Sequence, residues 1–140
     1  MVNYQEILDA IYEKLQKRVD KGTVASYIPE LADVPKEKFG IYLNRINGDD
    51  YFVGDWEEPF SIQSISKVLS FALAFSKLKN QVFRRLDVEP SGNPFNHLSL
   101  LEMENGIPRN PFINSGAIVI ADMLISLLDD PKNDFLAFLQ

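Results

Sequence analysis

Asn47-Gly48 lies between two short runs of strand-forming residues, and this hairpin signal constrains the fold more than any other feature of the 140-residue chain. Phe39-Gly40-Ile41-Tyr42-Leu43-Asn44-Arg45-Ile46 precedes it and Tyr51-Phe52-Val53-Gly54-Asp55 follows it. Asn-Gly supplies the positive backbone angles of a tight hairpin turn. No second pair of strands is legible, and the rest of the chain reads as helix and loop. Two strands do not make a stable sheet by themselves. The expected class is therefore α+β, with the hairpin set among helices and the rest of its sheet missing from this sequence.

The helices announce themselves by period. Asn3 has the character of an N-cap, and apolar residues then recur at Tyr4, Ile7, Leu8, Ile11, Leu15 and Val19, with Gly22 as a stop. Thr23 to Leu31 contains Tyr27-Ile28-Pro29 and is expected to hold broken structure or short helical turns. Glu57-Glu58-Pro59 closes the hairpin. A helix apolar nearly all round then begins near Ser64, and such a helix is expected to be buried. A short helix is expected over Gln81–Leu86, and a short helix or an irregular segment over Leu98–Met103. Asn114 or Ser115 opens an apolar helix running to Leu128. Pro131 suits the first turn of a last helix ending at Gln140.

Composition excludes several classes. The net charge of −6 argues against a nucleic-acid-binding surface. Cysteine is absent, which removes disulfides and thiolate metal sites, and a single histidine, His97, offers neither a metal cluster nor a Ser–His pair. The longest apolar run, Ala117–Leu128, is interrupted by Asp122 and Ser126 and is too short to span a bilayer. Met1-Val2-Asn3-Tyr4-Gln5-Glu6 lacks the basic start and apolar stretch of a secretory signal. These features lead us to expect a soluble cytoplasmic protein with no metal, no nucleic-acid partner and no membrane.

One motif carries chemistry. In Phe60-Ser61-Ile62-Gln63-Ser64-Ile65-Ser66-Lys67 a serine stands three residues before a lysine, so the two side chains share a helix face one turn apart. A serine hydroxyl is a poor nucleophile until a base takes its proton, and a desolvated lysine can be that base. Ser-x-x-Lys alone is common, and Ser76-Lys77-Leu78-Lys79 also fits; there the lysines suit the negative end of the helix dipole. Lys67 stands at the disfavoured positive end, among apolar neighbours. Two readings stay open on physics alone: a functional lysine, or one that snorkels to solvent or pairs with a carboxylate.

Five ordered blocks together resemble the serine-dependent glutaminases of the β-lactamase/transpeptidase-like superfamily. They are Val24-Ala25-Ser26-Tyr27-Ile28-Pro29-Glu30-Leu31, Gly54-Asp55, the Phe60–Lys67 segment, Glu89-Pro90-Ser91-Gly92 with Phe95-Asn96, and Asn110-Pro111-Phe112-Ile113-Asn114-Ser115-Gly116-Ala117-Ile118. The resemblance runs from about Gly22 to Leu128. It implies a β-lactamase/transpeptidase-like fold, an antiparallel sheet packed with helices, and hydrolysis of L-glutamine to L-glutamate and ammonia without a cofactor. It further implies that Ser64 is the nucleophile forming a γ-glutamyl ester and that Lys67 deprotonates it. By the same likeness Tyr27 borders the serine, binds substrate and shares in proton transfer, Gln63 contacts substrate, and Asn114 holds the amino-acid end of glutamine. A homo-oligomer, dimer or homotetramer, is implied as well.

Physical chemistry fits these roles without requiring them. A backbone N–H near a helix start, such as that of Ser64, is well placed to stabilise an oxyanion, and an asparagine offers donor and acceptor together. The plain alternatives are a half-buried Tyr27 beside Pro29, a Gln63 bonded to backbone at a helix start, and an Asn114 that caps the following helix. The sequence departs from the family pattern in having no Lys-[Ser/Thr]-Gly segment. The resemblance places the remaining substrate ligands and the second oxyanion donor beyond Gln140. Residues 1–140 are accordingly expected to be the N-terminal portion of a single glutaminase domain, apparently truncated. Two alternatives accompany that reading: another Ser-x-x-Lys hydrolase, such as a β-lactamase or peptidase, and an inactive interaction fragment.

Overall fold

Asn3 caps the first helix: its side chain accepts a hydrogen bond from the Glu6 N–H at 3.3 Å, and α1 runs Tyr4–Gln16. The computed structural model of the chain describes residues 2–18 and 22–140. The sequence stripe extends to Val19, which lies outside the described residues, and the helix ends before the expected stop at Gly22. It closes when the Arg18 N–H bonds the Leu15 carbonyl, three residues back instead of four, at 3.1 Å.

The chain forms two compact units, Met1–Phe60 and Ser61–Gln140. In the first, β1 (Gly40–Asn44) and β2 (Asp50–Gly54) pair antiparallel, with Gly40 opposite Gly54 and Asn44 opposite Asp50. Ile41, Leu43, Tyr51 and Val53 alternate as the half-buried residues, which is the two-residue period expected of a strand with one covered face. α1 packs against β2. Leu8 is buried, Tyr4 meets Tyr51 with ring centroids 5.5 Å apart, and the Gln5 amide donates to the Phe52 carbonyl at 3.0 Å.

The hairpin turn is one residue wider than Asn-Gly alone needs. The Arg45 N–H bonds the Asp49 carbonyl at 2.9 Å and the Gly48 N–H bonds the Arg45 carbonyl at 2.8 Å, leaving Ile46-Asn47-Gly48 as the loop. Gly48 takes φ +88, which costs a glycine nothing. The Asn47 side chain braces the turn by bonding both the Asp49 N–H and its carboxylate. A short α2 (Pro29–Ala32) begins at Pro29 and is the only helical turn in the Thr23–Leu31 region among the described residues.

In the second unit α3 (Ile65–Leu78) runs into a 3₁₀ segment, Lys79–Arg84, which takes the place of the short helix expected at Gln81–Leu86. α4 (Leu100–Met103) is a single turn, α5 runs Asn114–Leu127, and α6 runs Pro131–Phe138 behind an Asp130 cap. α3 packs against α5 and, more lightly, α6. The core is Leu73, Ala74, Val82, Leu86, Val119, Ile120, Met123 and Leu124, with Phe71, Leu78, Leu128 and Phe135 closing its margins. Val119, Ile120, Met123 and Leu124 form one face of α5, as the helical period requires. Each such side chain contributes about 1.5–3 kcal/mol when fully removed from water.

α3 corrects one expectation. Its sequence is apolar nearly all round, yet only Leu73 and Ala74 are buried, while Ile65, Val68 and Phe75 are exposed. Apolarity marks what a face can bury, and only the faces turned to α5, α6 and the 3₁₀ segment are covered here. Among the described residues no helix is long and apolar enough to cross a membrane. The class is α+β, as the single hairpin signal indicated.

Candidate functional site

Gln63 adopts φ +41, a left-handed conformation that costs a non-glycine residue about 1–2 kcal/mol. Its carbonyl accepts two donors from the next turn, the Ser66 N–H at 3.1 Å and the Ser66 hydroxyl at 2.6 Å. Those bonds hold the bend. Ser64 follows with φ −68 and ψ −9 at the head of α3, and its side chain makes no capping bond to the helix. A serine at this position ordinarily caps. Here Ser64 is exposed, and among the described residues neither its hydroxyl nor its N–H takes part in a hydrogen bond. Both groups are left available to a ligand.

The Lys67 N–H bonds the Ser64 carbonyl at 3.1 Å, which places the two residues one tight turn apart. The Lys67 side chain reaches across to α5. Its ammonium donates to Asn114 Oδ1 at 2.7 Å and to the Phe112 carbonyl at 3.2 Å, and it lies 5.5 Å from the centroid of the Phe95 ring. The Phe95 carbonyl in turn accepts the Asn114 N–H at 2.8 Å. Lys67 is half-buried and, among the described residues, in no ion pair with a carboxylate. It neither snorkels away nor pairs with an acid. Two amide oxygens and an aromatic face hold it by dipoles instead of by a full negative charge.

Asn114 does not cap α5. Ile113 is the cap residue and makes no side-chain bond; Asn114 is the first helical residue, and its side-chain oxygen is turned to Lys67. Thus the second unit brings together Ser64 and Gln63 at the head of α3, Lys67 one turn on, and Asn114 from α5. Tyr27 lies in the first unit, at a bend just ahead of α2, and is 76% exposed rather than half-buried against Pro29. No cluster of acidic or histidine side chains able to hold a metal ion occurs among the described residues.

The contributions of Phe95 and Phe112 are not visible in the motif spacing. Phe112 acts through its carbonyl, which every residue possesses, and Phe95 through a ring brought in by a loop. Both nevertheless lie inside blocks that carry the family resemblance.

The glutaminase family model matches residues 22–140. The chain belongs to the glutaminase family. It is 52% identical to a glutaminase of Christiangramia forsetii over 139 residues, covering 99% of this chain and 46% of that protein. It is also 52% identical over 136 residues to a glutaminase of Vibrio cholerae, covering 96% of this chain and 44% of that one. Among solved structures, the probable glutaminase YbaS superposes with a TM-score of 0.86 at 30% identity, covering 96% of this chain and 44% of its own. A Bacillus glutaminase determined in 4.3 M NaCl superposes at 0.75 with 34% identity, covering 96% and 42%. The chain spans less than half the length of each of these glutaminases, and within that span it shares their fold.

Proposed function

We propose that this chain carries the nucleophile and general base of a glutaminase that hydrolyses L-glutamine to L-glutamate and ammonia. The observation that carries the reading is an exposed Ser64, whose hydroxyl makes no hydrogen bond among the described residues, standing one turn ahead of Lys67, whose amine is held by Asn114 and Phe112. Family membership supplies the substrate.

In the proposed reaction the Ser64 oxygen attacks the side-chain amide carbon of glutamine while its proton passes to the neutral Lys67 amine. The carbonyl oxygen becomes an oxyanion, and the Ser64 N–H, unused within the helix, is the donor this chain offers to it. Collapse expels the amide nitrogen, which takes the proton from Lys67 and leaves as ammonia. Water then attacks the γ-glutamyl ester, giving up its proton to Lys67, and the Ser64 oxygen leaves and is reprotonated. Lys67 begins as a donor to Asn114 and Phe112, so it must surrender a proton and turn towards Ser64 before it can act. Tyr27 and Gln63 take the substrate-binding roles of their family blocks, with Tyr27 sharing in proton transfer. Asn114 holds the amino-acid end of glutamine.

The test is ammonia release from L-glutamine by the purified protein, with Ser64→Ala and Lys67→Ala in parallel. Release that falls at least about a hundredfold in both variants supports the assignment, since a general base contributes roughly 10²–10⁴-fold. Release that persists in Ser64→Ala excludes it.

A further inference from the structure

We propose that Asn110 is the positioning residue for Lys67, setting the orientation of the peptide group that receives the lysine ammonium. The inference rests on the role given to Lys67 above and extends it to a residue outside the reacting groups.

The argument begins with the shared peptide plane. The Phe112 carbonyl and the Ile113 N–H belong to one peptide unit, which is planar and trans, so its C=O and N–H point in opposite directions. Asn110 Oδ1 accepts that Ile113 N–H at 3.2 Å, while Lys67 donates to the Phe112 oxygen on the other side at 3.2 Å. Fixing the N–H therefore fixes the acceptor. Asn110 Oδ1 also accepts the Phe112 N–H at 3.0 Å, which holds the preceding peptide as well. Asn before Pro111 suits this side-chain-closed turn, because Pro111 has no N–H to offer and its φ is preset. A chain of aligned dipoles results, running from Asn110 through the peptide to the ammonium, and each member polarises the next.

Two further contacts anchor Asn110 itself. Its side-chain N–H donates to the Glu89 carbonyl at 2.9 Å. Its own carbonyl fills the space where Gly116 lacks a side chain: a Cβ at Gly116 would lie 2.0 Å from the Asn110 oxygen. The first turn of α5, which carries Asn114, is thereby seated on Asn110. Both oxygens that hold Lys67 are referred to the same residue.

The test reads Lys67 directly and needs no turnover. The Lys67 ammonium is followed by its ¹⁵Nζ–proton cross-peak, assigned by its absence in Lys67→Arg; such protons are observable while acceptors slow their exchange. Asn110→Ala is expected to lose the cross-peak, and Asn110→Asp, which keeps the oxygen that closes the turn but gives up the donor to the Glu89 carbonyl, is expected to retain more of it than Asn110→Ala. A cross-peak that persists in Asn110→Ala while the Phe112 and Ile113 amides exchange faster overturns the proposal, since Asn110 then only closes a loop. If Asn110→Ala does not fold, Asn110→Ser, whose shorter side chain closes the same turn more weakly, takes its place: a cross-peak that weakens or exchanges faster supports the proposal and an unchanged one overturns it. The expected pattern in a protein that never hydrolyses glutamine would leave this inference standing and remove the glutaminase reading. Where hydrolysis is measured, Asn110→Ala is expected to lower kcat more than it raises KM, with Asn110→Asp restoring it.

Discussion

Lys67 Nζ and Asn114 Oδ1 meet at 2.7 Å, and this one hydrogen bond ties the first turn of α3 to the first residue of α5. It makes stability and activity separable at a single position. Asn114→Ala removes an acceptor from a charged donor and is expected to cost about 1.5–3 kcal/mol of unfolding free energy in urea titrations. Asn114→Asp restores an acceptor and much of that stability. It also places a full negative charge on the amine that must act as base, so hydrolysis is expected to stay low. Activity that returns with stability in Asn114→Asp would show that the bond serves the fold alone.

Ile120 tests the core. It is fully buried between α5 and its neighbours, whereas Ile125 on the same helix is 67% exposed. Ile120→Ala is expected to destabilise by about 2–5 kcal/mol, and Ile125→Ala by no more than about 0.5 kcal/mol. The two urea midpoints measured side by side check the packing directly.

The same comparison shows what the sequence could and could not disclose. Asn3 and Pro131 each mark an element boundary through local backbone chemistry and stand where that chemistry put them, and Asn47-Gly48 marks the hairpin turn, which takes in Ile46 as well. The helical period marked the one-sided stripe of α1, where Leu8 is buried and Tyr4 and Leu15 are half-buried. It could not tell which sides of α3 would be covered, because apolar residues there surround the axis and only packing chooses among them. Ser64 and Lys67 were legible from their spacing. The left-handed turn at Gln63 was not, since glutamine gives no signal for positive φ as glycine would. Nor were the partners of Lys67: an aromatic face from Phe95 and a main-chain oxygen at Phe112 depend on loop conformation, and one of them has no side-chain identity. Asn114 stood out through the family blocks and not through its spacing; its plain reading as a cap is set aside by its side chain, which is turned to Lys67.

Arg109 and Arg85 provide a matched pair of ion pairs. Arg109 bonds Glu104, whose carboxylate is largely covered and whose second oxygen has no hydrogen-bond partner among the described residues. The hydrogen bond to Glu104, reinforced by its charge, raises the Arg109 guanidinium above the ordinary arginine range, so it is charged at any working pH. Arg85 pairs with Asp122 at 2.6 Å, where both side chains are about half exposed. Removing Arg109 leaves a covered carboxylate uncompensated, and removing Arg85 leaves one that water can reach. Arg109→Ala is expected to lower Tm more than Arg85→Ala; the opposite order would contradict the difference in burial.

Tyr42 gives the hairpin an alkaline pH dependence. A hydrogen bond with Asp50, then partial desolvation and the Asp50 charge, raise its phenol above the ordinary value of 10.0. The folded state thus favours the protonated phenol. That contribution to stability is complete below pH 10.0 and is lost as pH rises through the folded-state value. Phenolate absorbance should show Tyr42 titrating later in the wild type than in Asp50→Asn. Coincident titrations would remove Asp50 as the cause.

The nucleophile itself is the claim on which the rest depends. The most direct measurement is rapid acid quenching of the protein during reaction with L-glutamine, followed by peptide mass spectrometry. A γ-glutamyl ester on the peptide containing Ser64, absent from Ser64→Ala, is the expected result. Glutamate formed with no adduct on that peptide, or with the adduct on another residue, would contradict it.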